Sequence, residues 1–224
     1  MLISIKYTQF DIFFLTLKSC EMPLKFYANS NILVIGSSGS GKTTTVFKLI
    51  KQRLIEPMPE KIFYLYGAHQ PLFDEWNKDS SNPKITFIEG LKLKVLDEFE
   101  GPKLLVCDDL IMELSKNLAT HFIAGSHHKQ TTTIFITHSL FLNNELYRLI
   151  SNNSQYILLF KNKRNLSQVA LLARQVLGKS KDRLLEAYSH IKAFNFVLLS
   201  FHPLVPEDLL VTTEYFDECL SVFI

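Results

Sequence analysis

The stretch Gly36–Thr43, "GSSGSGKT", sets three glycines, a lysine and a threonine at the spacing G-x-x-x-x-G-K-[ST]. That spacing suits a polyphosphate. Gly36, Gly39 and Gly41 allow the backbone to turn until its N–H groups point inward at phosphate oxygens. Lys42 supplies a positive charge for β- and γ-phosphates, and the Thr43 hydroxyl completes a magnesium shell. A helix starting at Lys42 adds its positive N-terminal end. The phosphate-binding set is therefore Gly36, Ser37, Ser38, Gly39, Ser40, Gly41, Lys42, Thr43 and Thr44. A plain Gly/Ser-rich turn is the alternative, and the placement between an apolar run and a helical stretch argues against it.

"KLLVCDDL" supplies carboxylates. Asp108 and Asp109 fall at the C-terminal end of an apolar strand, where ligands bind in open α/β sheets. One carboxylate suffices to orient magnesium, so Thr43 and Asp108 form the metal pair. Asp109 is then free to align or deprotonate an attacking water. The competing reading makes Asp109 the N-cap of a helix beginning near Leu110. The nucleotide implied is ATP with Mg2+. "NKDS" at 77–80 lacks the Asn-Lys-x-Asp spacing that reads guanine.

A third polar group closes the apolar run "TIFITHSLF", which stops at Thr137, His138 and Ser139. Either a surface turn or a site at the mouth of a sheet accounts for that ending. Arginines are scarce: Arg53, Arg148, Arg164, Arg174 and Arg183, with Arg148 and Arg164 following the polar-tipped run. A small-molecule or nucleotide kinase would use the same P-loop, but it wants an arginine-rich lid that these dispersed positions do not form. A nucleotide-binding assembly protein with little turnover is a further alternative. His121, His127 and His128 have no cysteine or carboxylate at ligand spacing, which favours loop or helix-end histidines over a metal. Lys161, Lys163 and Arg164 in "KNKR" either meet phosphates or form a solvated loop.

The elements that must position these residues recur as short β-rich runs followed by helical stretches. The strands expected are 31–35, 61–66, 84–88, 103–107, 133–137 and 155–160, each apolar almost throughout. Such runs suit a parallel sheet covered on both faces. Helical periodicity spans 42–54, 110–124, 140–150, 167–177 and 181–191, with Ser167 as an N-cap and Gly178 as a stop. Beyond Phe194, "FNFVLLSF" and "DLLVTTEYF" read as two added edge strands. The class expected is α/β: a three-layer P-loop NTPase with a mostly parallel central sheet and added C-terminal strands.

Length, 224 residues, bounds this to one domain over 22–224, with 1–21 as an N-terminal arm. Within the arm, "FDIFFLTL" lacks the basic flank and cleavage site of a signal peptide and reads as an extra strand or a loose arm. Met22 is an alternative start. No apolar run approaches the ~18 residues of a membrane span. A net charge of +2 advertises no overall basic field, so any nucleic-acid contact must be local or built by several subunits. Cys20, Cys107 and Cys219 form no CxxC pair, and a reducing interior is the expected compartment.

With these residues placed, the chain resembles the DNA-packaging ATPases of the FtsK/HerA superfamily. Closest in pattern are the poxvirus-type enzymes of large DNA viruses and of Maverick/Polinton and adintovirus-like elements. The resemblance runs from about Met22 to Phe216. It rests on "ILVIGSSGSGKTTT", "FYLYGAHQPLFDEW", "KLLVCDDLIMELS", "GSHHKQTTTIFITHSLF", "YILLFKNKRNLSQVALLARQ" and "NFVLLSFHPLVPEDLL". It implies an ATP-driven motor that assembles into a homo-oligomeric ring, of five or six subunits, and threads double-stranded DNA into a capsid at its portal vertex. The location implied is the host nucleus or cytoplasm at virus assembly sites. It also implies that the strand beside the metal-binding strand ends in a polar sensor of the γ-phosphate, usually Thr-Gln-Asn. Here that tip is Thr137, His138 and Ser139. An imidazole can donate one hydrogen bond as an amide would, with a charge state that depends on pH. Asp109 stands where glutamate is more usual. The catalytic set implied is Lys42, Asp109, His138 and, acting in trans, Arg148, with Arg164 as second choice. A ring repeats the same few lysines around its pore, with Lys92 and Lys94 as DNA-facing candidates or else part of a solvated turn.

Overall fold

The apolar runs become strands because a residue buried on both faces of a sheet needs no polar alternation. In the computed structural model, residues 3–7, 13–18, 25–125, 130–216 and 219–223 are described. The strands are β1 (Ile3–Tyr7), β2 (Phe13–Lys18), β3 (Phe26–Tyr27), β4 (Asn31–Ile35), β5 (Ile55–Glu56), β6 (Lys61–Tyr66) and β7 (Ile85–Glu89). They continue as β8 (Lys103–Asp108), β9 (Thr131–Thr137), β10 (Tyr156–Phe160), β11 (Phe196–Ser200), β12 (Val211–Thr213) and β13 (Cys219–Phe223). The α-helices are α1 (Lys42–Lys51), α2 (Pro71–Lys78), α3 (Lys116–Thr120), α4 (Glu145–Asn152), α5 (Leu166–Leu177) and α6 (Lys181–His190). Cys20, Met22, His127 and His128 lie outside the described residues.

Eleven strands form one sheet in the order β1-β2-β13-β12-β11-β10-β4-β9-β8-β6-β7. Every pair from β7 to β10 is parallel, and every pair from β10 to β1 is antiparallel. β1 therefore pairs with β2, and β2 with β13, so these two strands extend the antiparallel wing. Alternate side chains fill two separate cores. Leu33, Ile35, Leu105, Cys107, Phe135 and Leu159 face one, together with Tyr147 of α4 and Val169 of α5. Ile32, Val34, Leu104, Val106, Ile134 and Leu158 face the other, with Val46 and Phe47 of α1 and Phe73 of α2. Each such side chain contributes about 1.5–3 kcal/mol by leaving water. The result is three layers, α/β/α.

Several expected boundaries shift for local reasons. The helix expected over 110–124 is broken into a 3-10 turn at Ile111–Glu113, α3, and a π-turn at His121–Gly125. Ser115 causes one break. It sits in extended backbone and its Oγ accepts from the Leu118 N–H, starting a new helix. Ser167 is not an N-cap but the second residue of α5, whose cap position is Asn165. Gly178 does end α5, at φ 53. The helix expected at 140–150 begins at Glu145, where the Asn144 side chain accepts from the Tyr147 N–H. Among the described residues three strands, not two, follow Phe194. Lys92 and Lys94 are exposed at the start of a 3-10 helix, Leu93–Glu98, rather than on a β-turn. No helix among the described residues is long and apolar enough to cross a membrane.

Candidate active site at the P-loop

β4 ends at Ile35 and α1 begins at Lys42, so the glycine-rich stretch is the loop between a buried strand and a helix N-terminus. Gly39 (φ 72) and Gly41 (φ 95) hold left-handed backbone that favours glycine. Gly36 is needed for a different reason: a Cβ there would lie 2.6 Å from Phe160 Cβ and 2.6 Å from Ser40 Oγ. The loop opens onto a cavity of about 650 Å³, lined by Ser38–Lys48 residues on one wall and by Gln70, Asp108, Asp109 and His138 at one end. Ser40 Oγ is buried in this loop with no hydrogen-bond partner. An orphaned hydroxyl beside the unpaired N–H groups of a helix start is what an anion would satisfy.

Strand order brings the chemistry together. β9 lies between β4 and β8, so the tips of all three meet at the C-terminal edge. The Gly36 N–H donates to Thr137 O (3.2 Å), tying the loop's start to the polar tip. Lys42 Nζ donates to Ser37 O (2.9 Å) and stands 3.2 Å from His138 Nδ1. His138 Nε2 stands 3.2 Å from Asp109 Oδ1, both side chains being about half-exposed. An ammonium can only donate, so Nδ1 is the acceptor. The imidazole proton then belongs on Nε2, facing Asp109. Lys42, His138 and Asp109 thus form one polar chain across the mouth of the cavity.

Asp108 is buried and heavily solvated by protein groups. Its Oδ2 accepts from Tyr64 OH (2.7 Å), Thr43 Oγ1 (3.0 Å) and Gln70 Nε2 (3.4 Å). Burial pushes its carboxyl above the usual range, and the Tyr64 and Thr43 hydrogen bonds and Lys42 pull it back. Burial likewise holds the Lys42 ammonium below its ordinary range, against the pull of Asp108 and Asp109. The donor pair Thr43 and Asp108 consists of hard oxygens, and among the described residues no group of three or more His, Cys, Asp or Glu is placed to hold a metal. That suits magnesium, which keeps waters and phosphate oxygens in most of its shell.

Asp109 is not a helix N-cap. Its φ is 55, a left-handed value that Asp tolerates, and the following 3-10 turn starts after Leu110. Gly67 makes room for this kink, since a Cβ on it would lie 2.7 Å from Asp109 O. Tyr147 of α4 donates its OH to Ser139 O (2.6 Å) and reaches Leu140 O (3.3 Å), clamping the chain just past the sensor tip.

The predicted phosphate and carboxylate residues converge. Arg148 does not join them: it is exposed on α4 and lines a different recess, with Leu140, Ser151 and Gln175. Arg164 is exposed on the loop after β10, at the sheet edge that carries the P-loop. Lys161 is committed elsewhere, its Nζ donating to Tyr188 O and Ser189 O at the end of α6. Sequence reasoning missed Tyr64, Gln70, Phe194 and Phe216. Tyr64 is hidden in an apolar run, whereas the polar "AHQ" after β6 was a usable signal for Gln70. Phe194–Phe196 and Glu214–Phe216 line the cavity on the side away from Asp108 and Asp109, and nothing local in the sequence marks them.

Fold and site together define a P-loop NTPase: α/β, with a mostly parallel central sheet and added strands. Among the solved structures with a similar fold are two viral packaging enzymes. The genome-packaging NTPase B204 of Sulfolobus turreted icosahedral virus 2, solved with ATP-gammaS, superposes with TM-score 0.53 at 11% identity, over 79% of this chain and 95% of that one. The B204 DNA-packaging ATPase of Sulfolobus turreted icosahedral virus gives TM-score 0.55 at 11% identity, over 80% and 95%. At such identity the likeness is one of fold. No protein-family model matches the chain, and a search of curated proteins gives no match.

Proposed function

We propose that this protein is an ATPase that packages viral, or virus-derived element, double-stranded DNA into capsids, working as a homo-oligomeric ring. The observation that carries the reading is the Lys42–His138–Asp109 chain, which links a phosphate-binding lysine to a carboxylate poised for water. The fold likeness to two packaging enzymes of turreted viruses supports it, as does the poxvirus-type and Maverick-like motif pattern.

In this reading the P-loop backbone and Lys42 take the β- and γ-phosphates, and Lys42 exchanges Ser37 O and His138 for phosphate oxygens. Thr43 and Asp108 hold magnesium, whose chemistry when bound is to neutralise phosphate charge. Asp109 accepts a proton from, or aligns, the attacking water through the carboxylate oxygen that His138 does not face. His138, released by Lys42, keeps its Nε2 contact with Asp109 and senses the γ-phosphate from the tip of β9. Arg148, or Arg164 from the P-loop edge, completes a neighbouring subunit's site. Lys92 and Lys94 face the DNA.

Phosphate release from ATP, measured with and without duplex DNA, tests this. Stimulation by DNA that falls steeply with salt is expected. Phosphorylation of an added acceptor instead would make the protein a kinase, and ATP binding with no turnover would make it an assembly factor.

A further inference from the structure

The nucleotide cavity has two chemically different ends. Asp108, Asp109 and His138 occupy the end on the β9–β8 side of the P-loop strand. Phe194, Asn195 and Phe216 occupy the opposite end, on the β10–β11 side. Glu214 also lines that end, its carboxylate accepting from Ser221 Oγ, so a nucleotide whose terminal phosphate meets Asp108 and Asp109 extends toward Phe194 and Phe216.

Phe194 is anomalous there. It is 70% exposed, and its backbone is left-handed at φ 65, a conformation that costs a bulky aromatic side chain free energy. A glycine or asparagine would serve the turn better. The turn is nonetheless held firmly: the Asn195 N–H donates to Lys192 O (3.2 Å), and the Lys161 N–H donates to Asn195 O (3.3 Å). Phe194 Cβ and Cδ1 lie 3.8 Å from where a side chain on Gly41 would begin, so the ring stands directly beside the P-loop. Across the cavity end, Phe216 carries Lys48 Nζ 4.1 Å above its ring. Phe216 is thereby occupied by a cation and packs edge-on to Tyr215 at 5.3 Å.

We infer that Phe194 is the stacking platform for the nucleobase, with the Phe216–Lys48 pair as the opposite wall. This rests on the nucleotide-binding reading of the P-loop and adds the base subsite to it. An aromatic face is indifferent to hydrogen-bond pattern, so Phe194 selects a nucleotide over a bare polyphosphate, and a purine over a pyrimidine by stacking area. An exposed aromatic ring in strained backbone next to the phosphate loop has, on this account, a ligand as its missing neighbour.

The test is equilibrium binding of magnesium ATP and of magnesium tripolyphosphate to the full chain and its Phe194→Gly and Phe194→Trp variants. Glycine relieves the left-handed backbone, so Phe194→Gly folds at least as well as the parent. The expected result is a loss of ATP affinity of roughly 5- to 150-fold in Phe194→Gly, with tripolyphosphate affinity within about twofold. Phe194→Trp keeps or improves ATP binding. Equal ATP affinity in parent and Phe194→Gly overturns the stacking inference alone, as does a parallel loss of tripolyphosphate, which would make Phe194 a support for the loop. Failure of the parent chain to bind either ligand overturns the nucleotide reading and this inference with it.

Discussion

Replacing His138 tests the polar chain across the cavity mouth most directly. Alanine there removes an acceptor 3.2 Å from the Lys42 ammonium and a donor 3.2 Å from the Asp109 carboxylate. Each contact involves a charged partner, and such a hydrogen bond is worth about 1.5–3 kcal/mol where it is well made. At 3.2 Å and half exposure the lower figure applies, and only the Asp109 contact persists once Lys42 turns to phosphate. One contact of about 1.5 kcal/mol predicts a fall in kcat of roughly tenfold for His138→Ala. Glutamine places an amide donor near the Nε2 position, so His138→Gln is expected to recover most of the loss. The assay is steady-state ATP hydrolysis paired with equilibrium ATP binding, which is expected to change by less than about threefold because the P-loop backbone and Lys42 remain. An unchanged kcat in His138→Ala, or a loss confined to ATP affinity, would refute the reasoning.

Three other outcomes are expected. Asp109→Asn abolishes hydrolysis while ATP still binds, read by single-turnover phosphate release beside a binding isotherm; retained turnover removes Asp109 from the water-activating role. Gly36→Ala drives a Cβ to 2.6 Å from Phe160 Cβ and Ser40 Oγ, so it costs about 1–3 kcal/mol of stability and weakens ATP binding, seen in urea unfolding and in the same isotherm. His202 stacks on Tyr27 at 4.5 Å, accepts from the Leu204 N–H, and is held below its ordinary pKa by burial. The folded state therefore binds this proton less readily than the unfolded one, and the stability is present above about pH 6.5 and lost as pH falls below it. Thermal melts from about pH 7.5 to 5 should show that decline in the parent and a shallower one in His202→Phe.

What was legible in the chain and what was not divides along a physical line. The inner strands of the parallel half, β4, β6, β8, β9 and β10, are buried on both faces, so they read as largely apolar runs; they and the partly buried edge strand β7 fell within a few residues of their observed bounds. The P-loop is contiguous, and its chemistry depends on residues a few positions apart. The right-handed half of the pattern, "DDL", was readable as carboxylates at a strand tip, but the left-handed backbone of Asp109 was not. It depends on Gly67, forty-two residues away, yielding space. Tyr64 and Gln70 reach Asp108 only because β6 pairs with β8, a fact of register rather than of local sequence. The continuous helical period over 110–124 misled because Ser115 competes for the Leu118 N–H, and one side-chain hydrogen bond outweighs a weak periodic signal. The Phe194 and Phe216 side of the cavity was illegible altogether, since these residues reach the P-loop and α1 from the antiparallel wing of the sheet.

The Tyr147 clamp has a mechanical side. Because the tyrosine hydroxyl grips Ser139 O and Leu140 O, and the Gly36 N–H is fastened to Thr137 O, the sensor tip is riveted to the phosphate loop on one flank and to α4 on the other. Tyr147 points into the core and the next residue, Arg148, points out of it. The tip thus has two attachments, and the one to α4 leads to a helix that carries an arginine on its outer surface. In the proposed ATPase, α4 would therefore be the element that carries a change at the sensor tip to the outer surface, where Arg148 is exposed.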